Sequence, residues 1–243
     1  MFSESAEGPL QAGDRHYRAY VGPPDRYDLM SAITFNLLTG FLGLREHHRL
    51  LDIGCGSLRV GRLLIPYLAP THYVGLEPER WLVADGISHE CGQNQIDVKK
   101  PTFIHASDWS VASLGVRFDH ILAQSIFSHA SKEQIRTCLN NCSACMHDQT
   151  IMAATFMLGN VAYDGAGWVY PRVVGYRAQT IEALLGSAGL IGVRTRYVHP
   201  KLTWYLIATA DNQGMLRGIN ERIDCSAEHI FAGVRQEATD TAT

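Results

Sequence analysis

Apolar positions along this chain switch repeatedly between two periods. Over residues 27–42, Leu29, Ile33, Leu37, Leu38 and Phe41 recur near helical spacing. A short, mainly apolar run follows at Leu50–Ile53 and is closed by Gly54-Cys55-Gly56. Helical spacing resumes over 57–68. Tyr73–Leu76 then reads as a strand and 79–91 as a helix. Further strands are expected at 102–105 and 118–123. Ser131 and Gln134 have the spacing of a capping box for a helix reaching about residue 146. A strand at 150–156 and a short helix at 180–188, stopped by Gly189, come next. Residues 192–199 and 203–210 are strand-like on either side of Pro200 and Lys201, which predicts a hairpin.

Five strands alternating with helices predict an α/β fold: a doubly wound, mainly parallel sheet with helices on both faces. The hairpin adds two strands, at least one antiparallel. Such a sheet takes its ligand at the carboxyl ends of the strands, near the point where strand order reverses. The pattern divides the chain into an N-terminal arm and candidate lid (1–26), one domain (27–210) and a C-terminal extension (211–243). Residues 1–15 are expected to be loosely ordered and 236–243 to be a frayed tail. A helix over 223–234 is expected to pack either on the domain or on a second copy in a homodimer.

Composition narrows the function. Of 243 residues, 46% are hydrophobic and 19% charged, enough for one sizeable core. The net charge of −3, with both signs scattered, is not the footprint of a nucleic-acid binder. It suits a small neutral or cationic partner better than a polyphosphate. No apolar stretch approaches a membrane span, and the first twenty residues hold no apolar run, so neither a membrane partner nor an export signal is expected. Six cysteines in that setting read as reduced thiols of a cytoplasmic protein.

Three places carry candidate chemistry. In Leu50-Leu51-Asp52-Ile53-Gly54-Cys55-Gly56-Ser57 a strand runs into a glycine turn and then a helix, whose first N–H groups are free to face a ligand carboxylate. The same stretch alone also fits an ordinary tight turn. A dinucleotide fingerprint would place glycine at position 59, where Arg59 stands, so a nicotinamide or flavin enzyme is disfavoured. Glu77 ends the next strand, 25 positions after Asp52, where an acid can accept both hydroxyls of a ribose; a glutamate at the start of a helix is the plainer alternative. Asp108 follows the third strand at the same sheet edge. A carboxylate there can accept an adenine amino group while Trp109 covers the ring, or it can simply cap a solvated turn.

Taken together, Leu51-Asp52-Ile53-Gly54-Cys55-Gly56, Val74-Gly75-Leu76-Glu77, Ala106-Ser107-Asp108 and Phe118-Asp119-His120-Ile121 resemble the ordered motifs of class I S-adenosylmethionine-dependent methyltransferases. The resemblance runs from about residue 49 to 210. It implies a seven-stranded sheet with the last strand antiparallel. S-adenosylmethionine would be the cofactor and S-adenosylhomocysteine its product, held by Asp52, Gly54, Cys55, Gly56, Glu77, Pro78, Asp108 and Trp109. Gln124-Ser125-Ile126-Phe127-Ser128-His129 would lie beside the transferable methyl, with Gln124 on the cofactor.

Methyl transfer from a sulfonium is an in-line displacement, for which a protein mainly supplies alignment and a dry site. A hydroxyl acceptor also wants a base, and His129 and His199 are the candidates; each also reads as a non-catalytic residue. The segment after the fourth strand lacks the Asn/Asp-Pro-Pro-aromatic signature of base methylation, which again points away from nucleic acid. Residues 17–27 and 157–176, rich in Tyr, Gly and Trp, are expected to shape the acceptor pocket. Tyr20 and Arg59 are further candidates for the cofactor carboxylate, although neither matches a family motif. Cys138, Cys142 and Cys145 have the spacing of an iron–sulfur motif, but they share one face of the expected helix and read as core. The expected function is therefore methylation of a small molecule, on oxygen. The alternatives are a nitrogen, carbon or peptide acceptor, or a scaffold of the same fold without activity.

Overall fold

The computed structural model describes residues 9–240, the side chains of residue 113 and of residues 227–240 excepted. Helix α1 (Tyr27–Asn36) continues through a wider π turn to Phe41. There follow β1 (Leu50–Ile53), α2 (Gly61–Tyr67), β2 (Tyr73–Leu76), α3 (Arg80–Gly86), α4 (Gln93–Lys99), β3 (Thr102–Ile104) and β4 (His120–Ala123). The chain closes with α5 (Lys132–Ala144), β5 (Ile151–Phe156), α6 (Ala178–Ser187), β6 (Leu190–Arg194), β7 (Thr203–Thr209) and α7 (Gln213–Asp240).

The strands form one seven-stranded sheet in the order β3-β2-β1-β4-β5-β7-β6. β7 runs antiparallel to both β5 and β6, and the other strand pairings among the described residues are parallel. Every residue of β1, β2, β4 and β5 is buried, as a parallel sheet covered on both faces requires. On one face Ile135, Cys138, Leu139 and Cys142 of α5 and Ile181 and Leu184 of α6 pack over β4 and β5. On the other, Leu37, Leu38, Leu64, Leu216, Ile219 and Ile223 form a second apolar layer. Strand order reverses between β1 and β4, so the loops after these strands open a crevice at the carboxyl edge.

Helix α5 begins as its sequence indicates: Gln134 N–H donates to Ser131 Oγ, and the Gln134 side chain accepts from Ser131 N–H. Cys138 and Cys142 lie on its inner face with their sulfurs 4.0 Å apart, and Cys145 follows into the same core. Burial raises the Cys145 thiol above its ordinary pKa, as befits a packing role.

Three expectations are corrected, and one element is new. The helix after the glycine loop begins at Gly61 rather than 57, because Leu58 takes a left-handed turn (φ 59°) with its side chain fully buried. The final strand pair is not a tight hairpin. β6 stops at Arg194, and residues 195–202 form a wider connection in which Tyr197 Oη donates to Ile33 O of α1. Helix α4 was not indicated by pattern; its apolar residues are few, and Val98 is 67% exposed. The tail expected at 236–243 is helical as far as Asp240, with 241–243 outside the described residues. Helix α7 lays Leu216, Ile219 and Ile223 against the domain. Among the described residues no helix is long and apolar enough to cross a membrane.

One close approach fixes where the glycine loop sits. A Cβ at Gly86, the last residue of α3, would lie 2.4 Å from Ser57 O and 2.6 Å from Ser57 C. Gly86→Ala gains about 1 kcal/mol of helix propensity but must push backbone from backbone. It should lower unfolding free energy by about 1–3 kcal/mol, measured by urea denaturation. A variant as stable as the parent would mean that α3 does not pack this closely on the loop.

Candidate active site

The carboxyl ends of β1, β2, β4 and β5 open onto a cavity of about 580 Å³, a size suited to a small-molecule site. Its floor is the glycine loop. Gly54 (φ 68°) and Gly56 (φ 55°) are both left-handed, and a Cβ on them would meet Ile126 Cδ1 at 2.0 Å and Val21 Cγ1 at 2.6 Å. The loop is tied across to β2, since Gly54 N and Cys55 N both donate to Leu76 O.

Glu77 leaves the end of β2 and turns back over this loop. Its Oε2 accepts from Gly56 N at 3.0 Å and its Oε1 from Glu79 N at 2.9 Å. The side chain is only 8% exposed, and burial outweighs those two bonds, raising its pKa to about 7. Pro78, Ala106, Ser107 and Trp109 continue this wall past β3. Trp109 (φ 63°) and Ser125 (φ 61°), both lining the cavity, hold left-handed backbone without being glycine, as do Leu58, Thr71 and Lys100 away from it.

Past β4, Gln124, Ser125, Ile126, Ser128 and His129 form the opposite wall. Gln124 is buried, and its Nε2 has no protein partner. His129 Nδ1 lies 2.8 Å from Arg172 O, which fixes the proton on that nitrogen and leaves Nε2 a lone pair. Burial lowers its pKa, so the ring is neutral near pH 7. The loop 157–176 clasps this segment: Val169 N donates to His129 O and Val174 N to Ser128 O. The rings of Trp168 and Tyr170 stand 5.6 and 4.9 Å from that of His129.

His199 reaches the cavity from the β6–β7 connection in the opposite tautomer. Its Nδ1 accepts from Leu202 N (2.9 Å) and Lys201 N (3.2 Å), so Nε2 carries the proton; that atom is buried and unpartnered. Burial and the nearby Arg59 charge lower its pKa to about 4.

The structure thus brings Gly54, Gly56, Glu77, Pro78, Trp109, Gln124, His129 and His199 to one cavity. Three expected cofactor residues are elsewhere. Asp52 is buried behind the loop, accepting from Tyr73 Oη at 2.7 Å, and burial raises its pKa to about 6. The Cys55 side chain packs toward β2, where a Cβ at Gly75 would lie 2.7 Å from its sulfur. Asp108 is exposed and accepts from Ser110 N in its own turn. Arg26, Met30 and Leu202 line the cavity without having been singled out, for they meet only in the folded chain. The arm expected as a lid does lie there. Val21 covers Gly56, Tyr170 Oη donates to Tyr20 O, and Arg59 Nη1 donates to Val21 O at 2.7 Å.

Residues 51–152 match the model of a family described as a methyltransferase domain. The fold is that of the class I methyltransferases. One similar structure is a magnesium protoporphyrin IX methyltransferase from Synechocystis PCC 6803 with bound S-adenosylhomocysteine (15% identity, 76% of this chain and 83% of that one, TM-score 0.53). Another is an S-adenosylmethionine-dependent methyltransferase from Clostridium acetobutylicum ATCC 824 (14% identity, 81% and 96%, TM-score 0.55). A third is the mitomycin 7-O-methyltransferase (13% identity, 80% and 56%, TM-score 0.58). No curated protein matches the chain in sequence.

Glu77 gives this class I methyltransferase fold a measurable pH signature. Its folded pKa of about 7 lies above the ordinary carboxylate value of 4.5, so the folded state holds the proton more tightly. Its contribution to stability is full below pH 4.5 and is lost as pH rises to about 7. The loss is on the order of 3 kcal/mol. Asp52 acts with the same sign below about pH 6. In the ligand-free protein Glu77→Gln should remove the part of the decline between pH 6 and 7, followed by denaturation at each pH. An unchanged slope would show that the carboxyl is not held in this environment.

Proposed function

We propose that this protein is an S-adenosylmethionine-dependent methyltransferase acting on a small-molecule acceptor, with oxygen as the acceptor atom. The observation that carries the reading is Glu77, a buried carboxylate at the end of β2 facing the same cavity as the Gly54–Gly56 loop. The methyltransferase-domain match and the similar structures bound to S-adenosylmethionine or S-adenosylhomocysteine support it. Each Glu77 oxygen accepts one backbone N–H and keeps a second lone pair for a ribose hydroxyl. The Gln124 amide supplies a buried donor without a protein partner. Trp109 offers a ring to the adenine side. Residues 9–26 and 157–176 form the lid on a domain spanning 27–210, and 211–240 form an extension braced on it.

When bound, the cofactor supplies a methyl already activated on a sulfonium sulfur. The chain contributes alignment, exclusion of water and a place for the acceptor proton. Gly54, Gly56, Glu77 and Gln124 would hold that cofactor, its methyl would go to the acceptor oxygen, and His129 Nε2 is placed to take the hydroxyl proton. That nitrogen is free because Nδ1–H is committed to Arg172 O, and the neutral base with its lone pair at the cavity is what favours oxygen over an amine, which needs no base. His199 has the wrong tautomer for a base and acts as a donor.

Calorimetry with S-adenosylhomocysteine tests the reading directly, and absence of binding sinks it. Glu77→Ala should weaken the affinity by about 1.5–3 kcal/mol, and the parent's affinity should fall below about pH 7 as Glu77 takes up its proton. Full affinity in Glu77→Ala would remove the ribose assignment. His129→Gln should lower kcat by about 100-fold on any hydroxyl acceptor turned over, with cofactor affinity nearly intact. A kcat within a few-fold of the parent across pH would leave alignment alone to carry the step.

A further inference from the structure

His129 is a weak base. Its Nδ1–H goes to a backbone carbonyl, Arg172 O, and among the described residues no carboxylate stands within 4.0 Å of its ring nitrogens. Burial sets its pKa below the ordinary 6.5, the bond to Arg172 O opposing this in part. That limits the hydroxyl it can serve, because a proton passes most readily between groups of similar pKa. A phenol ionises near pKa ~10, as tyrosine does. An alkyl hydroxyl lies about where bulk water does, at roughly 15.7. The first stands at least ~3.5 pKa units above this histidine and the second at least ~9. A carboxylate or a free amine needs no base at all.

The loop that orients His129 also lines the cavity beside it. It contributes Met157, Trp168, Tyr170, Pro171 and Val173. The Tyr170 hydroxyl is committed to Tyr20 O, so apart from the Trp168 indole N–H these side chains bring no free donor. A sugar or other polyol would leave hydroxyls unmatched against them. Trp168 and Val173 are each 46% exposed, although both line the cavity. An indole left this open offers a flat surface to a second ring, since stacked and edge-to-face aromatic contacts gain more than their area alone. The Trp168 ring stands 5.6 Å from that of His129 with the planes inclined by 57°, so a ring lying along the indole carries its substituent to the imidazole. Tyr170 closes the other side, edge-on to His129 at 4.9 Å.

We infer that the methyl acceptor is a phenol, its ring lying against Trp168 and its hydroxyl directed to His129 Nε2. The inference rests on the methyltransferase reading and names the substrate class for the same site. The phenol oxygen gains the methyl and its proton goes to His129 Nε2, the bonding pair remaining on the sulfur of S-adenosylhomocysteine; the other product is an aryl methyl ether. A phenol is flat, neutral and apolar but for one hydroxyl, which matches both the wall and the base. Trp168 is then the residue that sets specificity, favouring a flat ring over a saturated skeleton of the same size.

The test uses protein saturated with S-adenosylhomocysteine and two probes of one skeleton, 2-naphthol and its saturated counterpart decahydro-2-naphthol, titrated by calorimetry. The naphthol should bind about tenfold more tightly, the span of one aromatic contact. Trp168→Leu should bring the two near parity while S-adenosylhomocysteine affinity stays within about twofold. Trp168→Phe, which keeps a flat ring and guards against a Leu variant that fails to fold, should hold the preference to within about threefold of the parent. With S-adenosylmethionine instead, 2-naphthol should yield its methyl ether and the saturated alcohol none above the rate in buffer. Equal binding of the probes, or binding of neither, overturns the inference. A preference that survives in Trp168→Leu also overturns it, as does tighter binding of the naphthol without methyl ether. Failure of the parent to bind S-adenosylhomocysteine at all would instead sink the methyltransferase reading, and this one with it.

Discussion

One buried carboxylate holds the ends of two strands together. Glu77 leaves β2 and takes the N–H of Gly56 from the loop after β1, while its other oxygen takes Glu79 N at the entry to α3. The backbone bonds from Gly54 and Cys55 to Leu76 O run beside it. The loop can lie this close only because Gly56 has no side chain where Val21 sits and Gly86 has none where Ser57 passes. The carboxylate remains near 8% exposed and is carried at a raised pKa, so the fold accepts a destabilising group at the position where a ligand can later satisfy it.

The cover of the cavity depends on the same junction. The arm is anchored away from it, where Arg18 and Arg62 both reach Glu90, whose side chain is 5% exposed, and Arg62 also reaches Asp28. From that anchor the arm crosses the glycine loop and meets the loop 157–176 through Tyr20 and Tyr170, whose rings lie 5.2 Å apart. Tyr20 also packs edge-on to Trp81 of α3. Arm and loop therefore close over the cavity by touching each other, and His129 is oriented by the second of the two through Arg172 O. The orientation of His129 and the closure of the cover are one mechanical unit.

Much of this was legible in the chain. β1 and β2 fall where apolar runs end in Gly54 and Glu77, because a buried parallel strand followed by a glycine turn leaves a strong local pattern. The capping box at Ser131 worked for the same reason. What failed to show was decided at long range. Residues 195–202 read as a tight hairpin until Tyr197 is seen bonded to α1. Helix α4 has too few apolar residues to register as periodic. Asp52 and Asp108 sit at motif positions, yet Tyr73 Oη engages one and the exposed turn at Ser110 the other. Spacing places a residue at a sheet edge and does not say which way its side chain turns. Arg59 stood out as the residue that spoiled a dinucleotide fingerprint and as a candidate for the cofactor carboxylate; its burial facing a cavity is a property of the folded chain.

The two histidines carry that point furthest. In the sequence they are interchangeable candidates for one role, since both have the same intrinsic pKa and both follow strands at the same edge. In the structure a backbone carbonyl at Nδ1 makes His129 an acceptor, and two backbone N–H groups at Nδ1 make His199 a donor. Neither assignment involves the imidazole itself. It is written by Arg172 O in one loop and by the amides of Lys201 and Leu202 in another, elements that no residue-type pattern encodes. Burial lowers the pKa of both rings, so each keeps its tautomer at neutral pH.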